Sequence, residues 1–473
     1  MNRIGRVVGG LLAALALSAC SHKDRMAPVV AAYSGGRYDL AAEAMTPLLA
    51  DRQDSDKDRT LYELEAGAVF AAAGDDARST AAFAAADERM WPYLDESAET
   101  RISAIAAAIL TNQTVIPYVG RPYDRIMGCA YLGLNHLAQG DLEAAGVAFR
   151  RAYEWQRDAV AKYEDEIEAM QREAGAKSEK DSYDSAAAMQ DAQFQSGLSS
   201  AYGALEDLSG YADFAIPYAT LLEAIQQSAT GRNDDLPQAL YNFRRAAEML
   251  PEAERADLAA DAARIEAAIA GAPIGPHVHV IVEAGMAPRL DEFKISIPLF
   301  MRQYPYFGAS FPVMKFNEGA ASGFTARAGG AGHPSTTVTD MDRVVAGDFK
   351  ARLPAIIALT LVSTATKMIA TYAAQQAAMN SGDNNAAWVI AIGMMTYQMG
   401  TNSADLRTWL TLPKRVLYAS FPAPADGQLS IDLPDGRTIG PIATESDGLT
   451  IVHVRSPGPA AEPAVRTMRF PVR

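Results

Sequence analysis

Apolar and polar positions change rhythm several times along the chain. A short apolar run, "VVGGLLAALAL", follows Arg3 and Arg6 and gives way to small residues before Cys20. From about residue 27 to 272, Ala, Leu, Glu and Arg dominate and β-branched runs are few, which predicts helices. Pro273, Gly275 and Pro276 break that pattern, and "HVHVIVE" alternates as a strand does. "EFKISIPLF", "SFPVMKF" and "TTVTDMDRVV" extend the strand signal, and "RVLYASFPAP", "GQLSIDLP", "GLTIVHVRS" and "RTMRFPVR" resume it after residue 414. Between them lie two apolar segments that predict helices near 350–379 and 385–400. The expected fold is a solenoid of helical hairpins over 27–272, then a smaller α+β domain over 273–473 with an antiparallel sheet and an apolar helical hairpin.

The helical part carries an internal repeat. In "CAYLGLNHLAQGDLEAAGVAFRRAYEW", Gly133, Gly140, Ala145, Phe149 and Ala152 stand at tetratricopeptide (TPR) intervals. Gly133 and Ala145 are small where two helices touch, Gly140 permits the turn between them, and Phe149 fills the gap to the next pair. "EAGAVFAAAGDDARSTAAFAAADERMWP" repeats the register with Gly67 and Phe83, and "LPQALYNFRRAAEMLPE" repeats its second helix with Phe243 and Pro251. The charged stretch near 153–175 pairs Lys162 with Glu166 at four residues and reads as a solvated spacer.

Composition places the chain. The first apolar run is too short to span a bilayer, which takes about 20 residues, and "LSAC" resembles a lipobox, whose cysteine is acylated. Residues 1–19 are then a signal peptide, Cys20 is the lipidation site and residues 20–26 are a tether. Ser21 follows where an inner-membrane retention Asp would stand, which implies the periplasmic side of the outer membrane. With 2 Cys in all, a lipidated Cys20 leaves Cys129 without a disulfide partner. Net charge is −15, and loss of Arg3 and Arg6 makes it −17, a poor match for nucleic acid. The chain is 49% hydrophobic, enough to build real cores.

Candidate chemistry is sparse. Of 6 His, His277 and His279 share one side of a strand, as metal ligands would, but only Glu283 lies further along that side. A half-exposed edge strand is therefore expected, with no metal and no cofactor. "TATK" at 364–367 lacks the partner boxes of penicillin-recognising enzymes, and "GAASGFTARAGGAGH" lacks the ending of a phosphate loop and reads as a mobile surface loop. Lys367 and the short second apolar segment argue against a membrane hairpin. Asp405 and Arg407 form a polar pair, with Trp409 expected to pack on the sheet.

Three stretches carry a family resemblance. "YDRIMGCAYLGLNHLAQGDLEAAGVAFRRA", "VEAGMAPRLDEFKISIPL" and "ADLRTWLTLPKRVLYASFPAP" are similar to signatures of a family of bacterial TPR-containing lipoproteins. Members are often encoded beside lipoproteins that activate penicillin-binding proteins, which implies a place near cell-wall synthesis. The expected function is non-enzymatic: a lipid-anchored scaffold that engages a periplasmic or envelope protein through a TPR-like surface. The alternatives are an envelope hydrolase or transferase with its site in 275–473, and a membrane-inserted export component.

Overall fold

The structure, a computed structural model, describes residues 21–51, 56–94, 117–180, 183–206, 216–298, 306–380 and 404–471, with Glu96, Ser97, Thr100 and Ser103 besides. Cys20 and the expected helix near 385–400 lie outside these residues. Helices come first: α1 His22–Ser34, α2 Tyr38–Ala50, α3 Arg59–Ala72, α4 Asp76–Met90, α5 Pro122–Ala138, α6 Leu142–Lys180, α7 Ser185–Met189, α8 Ala192–Tyr202, α9 Pro217–Ala229, α10 Leu236–Glu248 and α11 Ala256–Ile269. The strands follow: β1 His277–Ala284, β2 Arg289–Pro298, β3 Tyr306–Lys315, β4 Thr325–Ala328, β5 Ala331–Pro334 and β6 Thr336–Asp340. One long helix, α12 Met341–Asn380, precedes β7 Arg415–Pro422, β8 Gln428–Asp432, β9 Thr438–Ala443, β10 Gly448–Ser456 and β11 Ala464–Pro471.

Local sequence explains the helical part. In α10, Leu236, Ala239, Phe243, Ala246 and Ala247 are buried at three- and four-residue spacing, and a proline stands in its first turn where no N–H partner is lost. Helix α5 is buried on nearly every side, including Asp124 and Arg125, so it runs through the interior rather than along the surface. Ser21 caps α1 and makes a reciprocal capping box with Asp24. Residues 21–26 are thus not a loose tether: they enter α1 at once, and Met26 is fully buried.

Five strands form a central sheet in the order β11-β10-β1-β7-β6, with β1 parallel to β10 and antiparallel to β7. The single parallel pair makes the sheet mixed, not purely antiparallel. Strand β1 is therefore a central strand, and all eight of its residues are buried. Alternation sends Val278, Val280, Val282 and Ala284 into the core shared with a four-stranded sheet, β5-β4-β8-β9. The other side of β1 faces the helices: Ile281 joins the main core, and His277, His279 and Glu283 meet α9 and α11. The expected glycine-rich surface loop is in fact the β4–β5 hairpin, with Ala326 fully buried.

The helices pack onto this sheet along much of their length. Tyr38 Oη donates to the Arg455 and Glu462 carbonyls at 3.1 and 2.8 Å. Glu65 accepts from Leu410 N–H at 2.6 Å and from the Thr411 hydroxyl at 2.7 Å. Asp76 and Asn135 receive Arg466 at 2.7 and 3.1 Å, and Tyr218 donates to Glu283 at 3.0 Å. Trp409 packs on helical aromatics, Phe83 and Tyr131, within the core that helices and sheet share. The inner side of the helices is covered by the chain's own C-terminal half.

Among the described residues no helix is long and apolar enough to cross a membrane. Helix α12 starts at Met341, not near 350, and packs its buried face against α6 and β3 as far as Ala365, with Lys350 and Pro354 exposed on the other side.

Candidate binding cavity

A cavity of about 230 Å³ opens where the two halves meet. Among the described residues six stretches of chain line it: Tyr93 and Glu96 after α4, the segment Pro117–Arg125 that runs into α5, the middle of α6, the β2–β3 hairpin, the first half of α12 and the Asp405–Arg407 turn. Val119, Met170, Leu290, Met314, Val345, Phe349 and Ile356 give it apolar walls. Gly120 sits at the bend with φ 78°, a left-handed conformation that favours glycine, and a Cβ there would lie 2.7 Å from the Met90 sulfur.

Most charges on the walls are already committed. Arg352 Nε donates to Asp348 at 2.8 Å and its NH2 to Glu166 at 2.9 Å, with all three side chains buried. Arg407 binds Asp405 with two nitrogens, at 2.9 and 2.8 Å, and reaches Asp58 at 3.0 Å. Burial alone would raise the Asp405 carboxyl, but Arg407 holds it below the ordinary range. Arg125 donates to the Val119 carbonyl at 3.0 Å and lies over the Trp155 ring at 4.7 Å. Arg121 is half-buried at the wall, its guanidinium kept charged by nearby Asp348 against the cost of burial. Behind it, burial raises Asp124 to about 6, although Tyr118 Oη and Arg121 N–H both donate to its Oδ2. The result is a greasy cleft whose wall carries Arg121 beside the paired charges, an arrangement suited to holding a group that is apolar with an anionic end.

A second polar cluster lies apart from the cavity, between α11 and the central sheet. Asp261 comes within 3.3 Å of His277 Nε2 and 4.0 Å of His279 Nδ1. Its Oδ2 accepts from Tyr418 Oη at 2.6 Å and Ser420 Oγ at 2.8 Å, and Arg264 approaches its Oδ1 at 3.3 Å. Despite complete burial, the two imidazoles and Arg264 hold Asp261 far below the carboxylate range. Burial lowers both histidines, against the opposing pull of Asp261. Glu283 belongs to a neighbouring network with His453 at 3.1 Å and Tyr218.

Apart from Phe243, the residues singled out for helix packing lie away from both places. A Cβ on Gly67 would stand 2.6 Å from the Phe83 ring, and one on Gly133 2.3 Å from Phe149. Ala145 and Ala152 are buried in the same core, and Gly140 takes φ 77° at the α5–α6 turn. Phe243 packs against His279, and Pro251 stands exposed between α10 and α11. Cys129 is buried, and its thiol donates to Asp87 at 3.3 Å.

Sequence reasoning did not reach Arg121, Asp348, Arg352 or Asp261. An arginine two residues before Pro354 at the start of an apolar segment was a signal for Arg352; Asp261 carried none. Comparison of the chain with protein-family models, with curated proteins and with solved structures finds no match.

Proposed function

We propose that the protein is a lipid-anchored binding module, held by Cys20 at the periplasmic side of the outer membrane, that engages a protein of the cell envelope. Its helix pairs are TPR-like units whose inner side serves the chain's own sheet, so the partner meets the cavity instead of an open groove. The observation that carries this reading is the cavity itself: apolar walls from both halves of the chain, with Arg121 among the lining residues. A partner segment that places an apolar side chain beside a carboxylate fits that lining. The family resemblance, by association of neighbouring genes, supports a partner near peptidoglycan synthesis.

The test is site-directed photocrosslinking in intact cells, with the crosslinking residue at Val119 or Met314. One discrete adduct at these positions, lost in Arg121→Glu and absent with the probe at exposed Tyr241, is the expected result. Adducts at Tyr241 alone move the docking surface elsewhere, and no adduct at any position overturns the reading.

A further inference from the structure

We propose that Asp261, His277 and His279 form a divalent metal site that staples the last helix of the helical half to the central strand of the sheet. One donor atom from each of the three lies within 4.8 Å of the others, and all three side chains are buried. A tetrahedral first-row ion would draw such atoms to about 3.4 Å apart, given bonds near 2.0–2.1 Å.

Proton placement supports the assignment. Tyr418 gives its only hydroxyl proton to Asp261 Oδ2, and its oxygen lies 2.6 Å from His279 Nδ1. Nδ1 must therefore carry the proton, which leaves Nε2 of His279 a bare lone pair. That nitrogen has no hydrogen-bond partner, and Nε2 of His277 has only its 3.3 Å, poorly aligned approach to Asp261 Oδ1. A buried acceptor without a donor is costly, and a hydrogen bond fixing the far nitrogen is the usual outer support of a metal-bound imidazole. The same tyrosine, with Ser420, occupies Oδ2 and leaves Oδ1 of Asp261 toward His277.

Charge points the same way. Asp257 lies one turn before Asp261 and is pushed up to about 6 by burial and by that neighbour's negative charge. Against these two carboxylates stands Arg264, which must release Oδ1 when the ion enters. Two imidazoles and one carboxylate suit Zn²⁺, and Co²⁺ as its stand-in, rather than Mg²⁺ or Ca²⁺, which require more oxygen donors. Because the cluster is closed to solvent, the ion's role is to join α11 to β1.

The experiment uses the full chain, stripped with a chelator and titrated with Zn²⁺ or Co²⁺. Expected are one ion bound per chain, the intense visible bands of four-coordinate Co²⁺, and a Zn²⁺ edge spectrum fitted by two imidazole nitrogens. His277→Gln and His279→Gln should each weaken Zn²⁺ binding at least tenfold, while His453→Gln, in the separate Glu283 network, leaves it unchanged. Should either histidine variant fail to fold by circular dichroism, the wild-type stoichiometry and edge spectrum decide. No saturable binding at one equivalent, or a bound ion without imidazole ligands, overturns the site; a bridging water then satisfies the two nitrogens.

Discussion

At the scale of single residues, the tightest constraint is the contact of Gly133 with Phe149. A methyl group at 133 would stand 2.3 Å from the ring, so the aromatic or the helix must move. Gly133→Ala is expected to cost about 1–3 kcal/mol in denaturant unfolding, and Gly133→Ala with Phe149→Leu to regain part of it. A loss no smaller in the double variant would show that the ring is not what excludes the methyl. This pair, and Gly67 with Phe83, could be read from sequence because the partners lie sixteen residues apart on adjacent helices, where spacing fixes geometry. Asp261 and His279 are also close in sequence, but their meeting depends on where α11 lands on β7, which no local periodicity records.

Between elements, α6 and α12 show how context overrides charge pattern. The i,i+4 spacing of Lys162 and Glu166 predicted a solvated helix. Lys162 instead pairs with Asp158, four residues earlier, and donates to the Leu94 carbonyl, while Glu166 turns inward to Arg352. The partner is 186 residues away, beyond the reach of any helical rule. Removing the buried guanidinium would strand two carboxylates in an apolar wall. Arg352→Ala is thus expected to destabilise the fold by about 3–5 kcal/mol. The triple replacement of Arg352, Glu166 and Asp348 by leucine should cost less than that single change. Equal or greater loss in the triple variant, measured by the same unfolding curves, would mean that packing and not stranded charge dominates there.

For the whole molecule, the sequence's change of rhythm at residue 273 marks a change of element type and not a seam. Strand alternation and helix composition were legible on each side. What joins them was not, because Tyr38, Glu65, Asn135 and Tyr218 reach backbone and side chains between 65 and more than 400 residues away. The helical half alone would expose the aromatic surface that Trp409 covers and leave Glu65 and Asp261 without their β-side partners. Residues 21–272 expressed alone are expected to lack a cooperative thermal transition, whereas the full chain melts in one. A sharp melt of the fragment would show that the helices need no sheet.

The capped start of α1 bears on reach. If an acyl group sits on Cys20, rigid protein begins two residues later, and buried Met26 locks that helix into its neighbours. Sorted lipoproteins with long disordered leaders can fish across a wide gap; this body would ride flush with the lipid surface, with its heading largely set. Whatever it recognises must then come to the membrane's inner skin, so the distance a partner spans, more than its abundance, would decide whether the two ever meet.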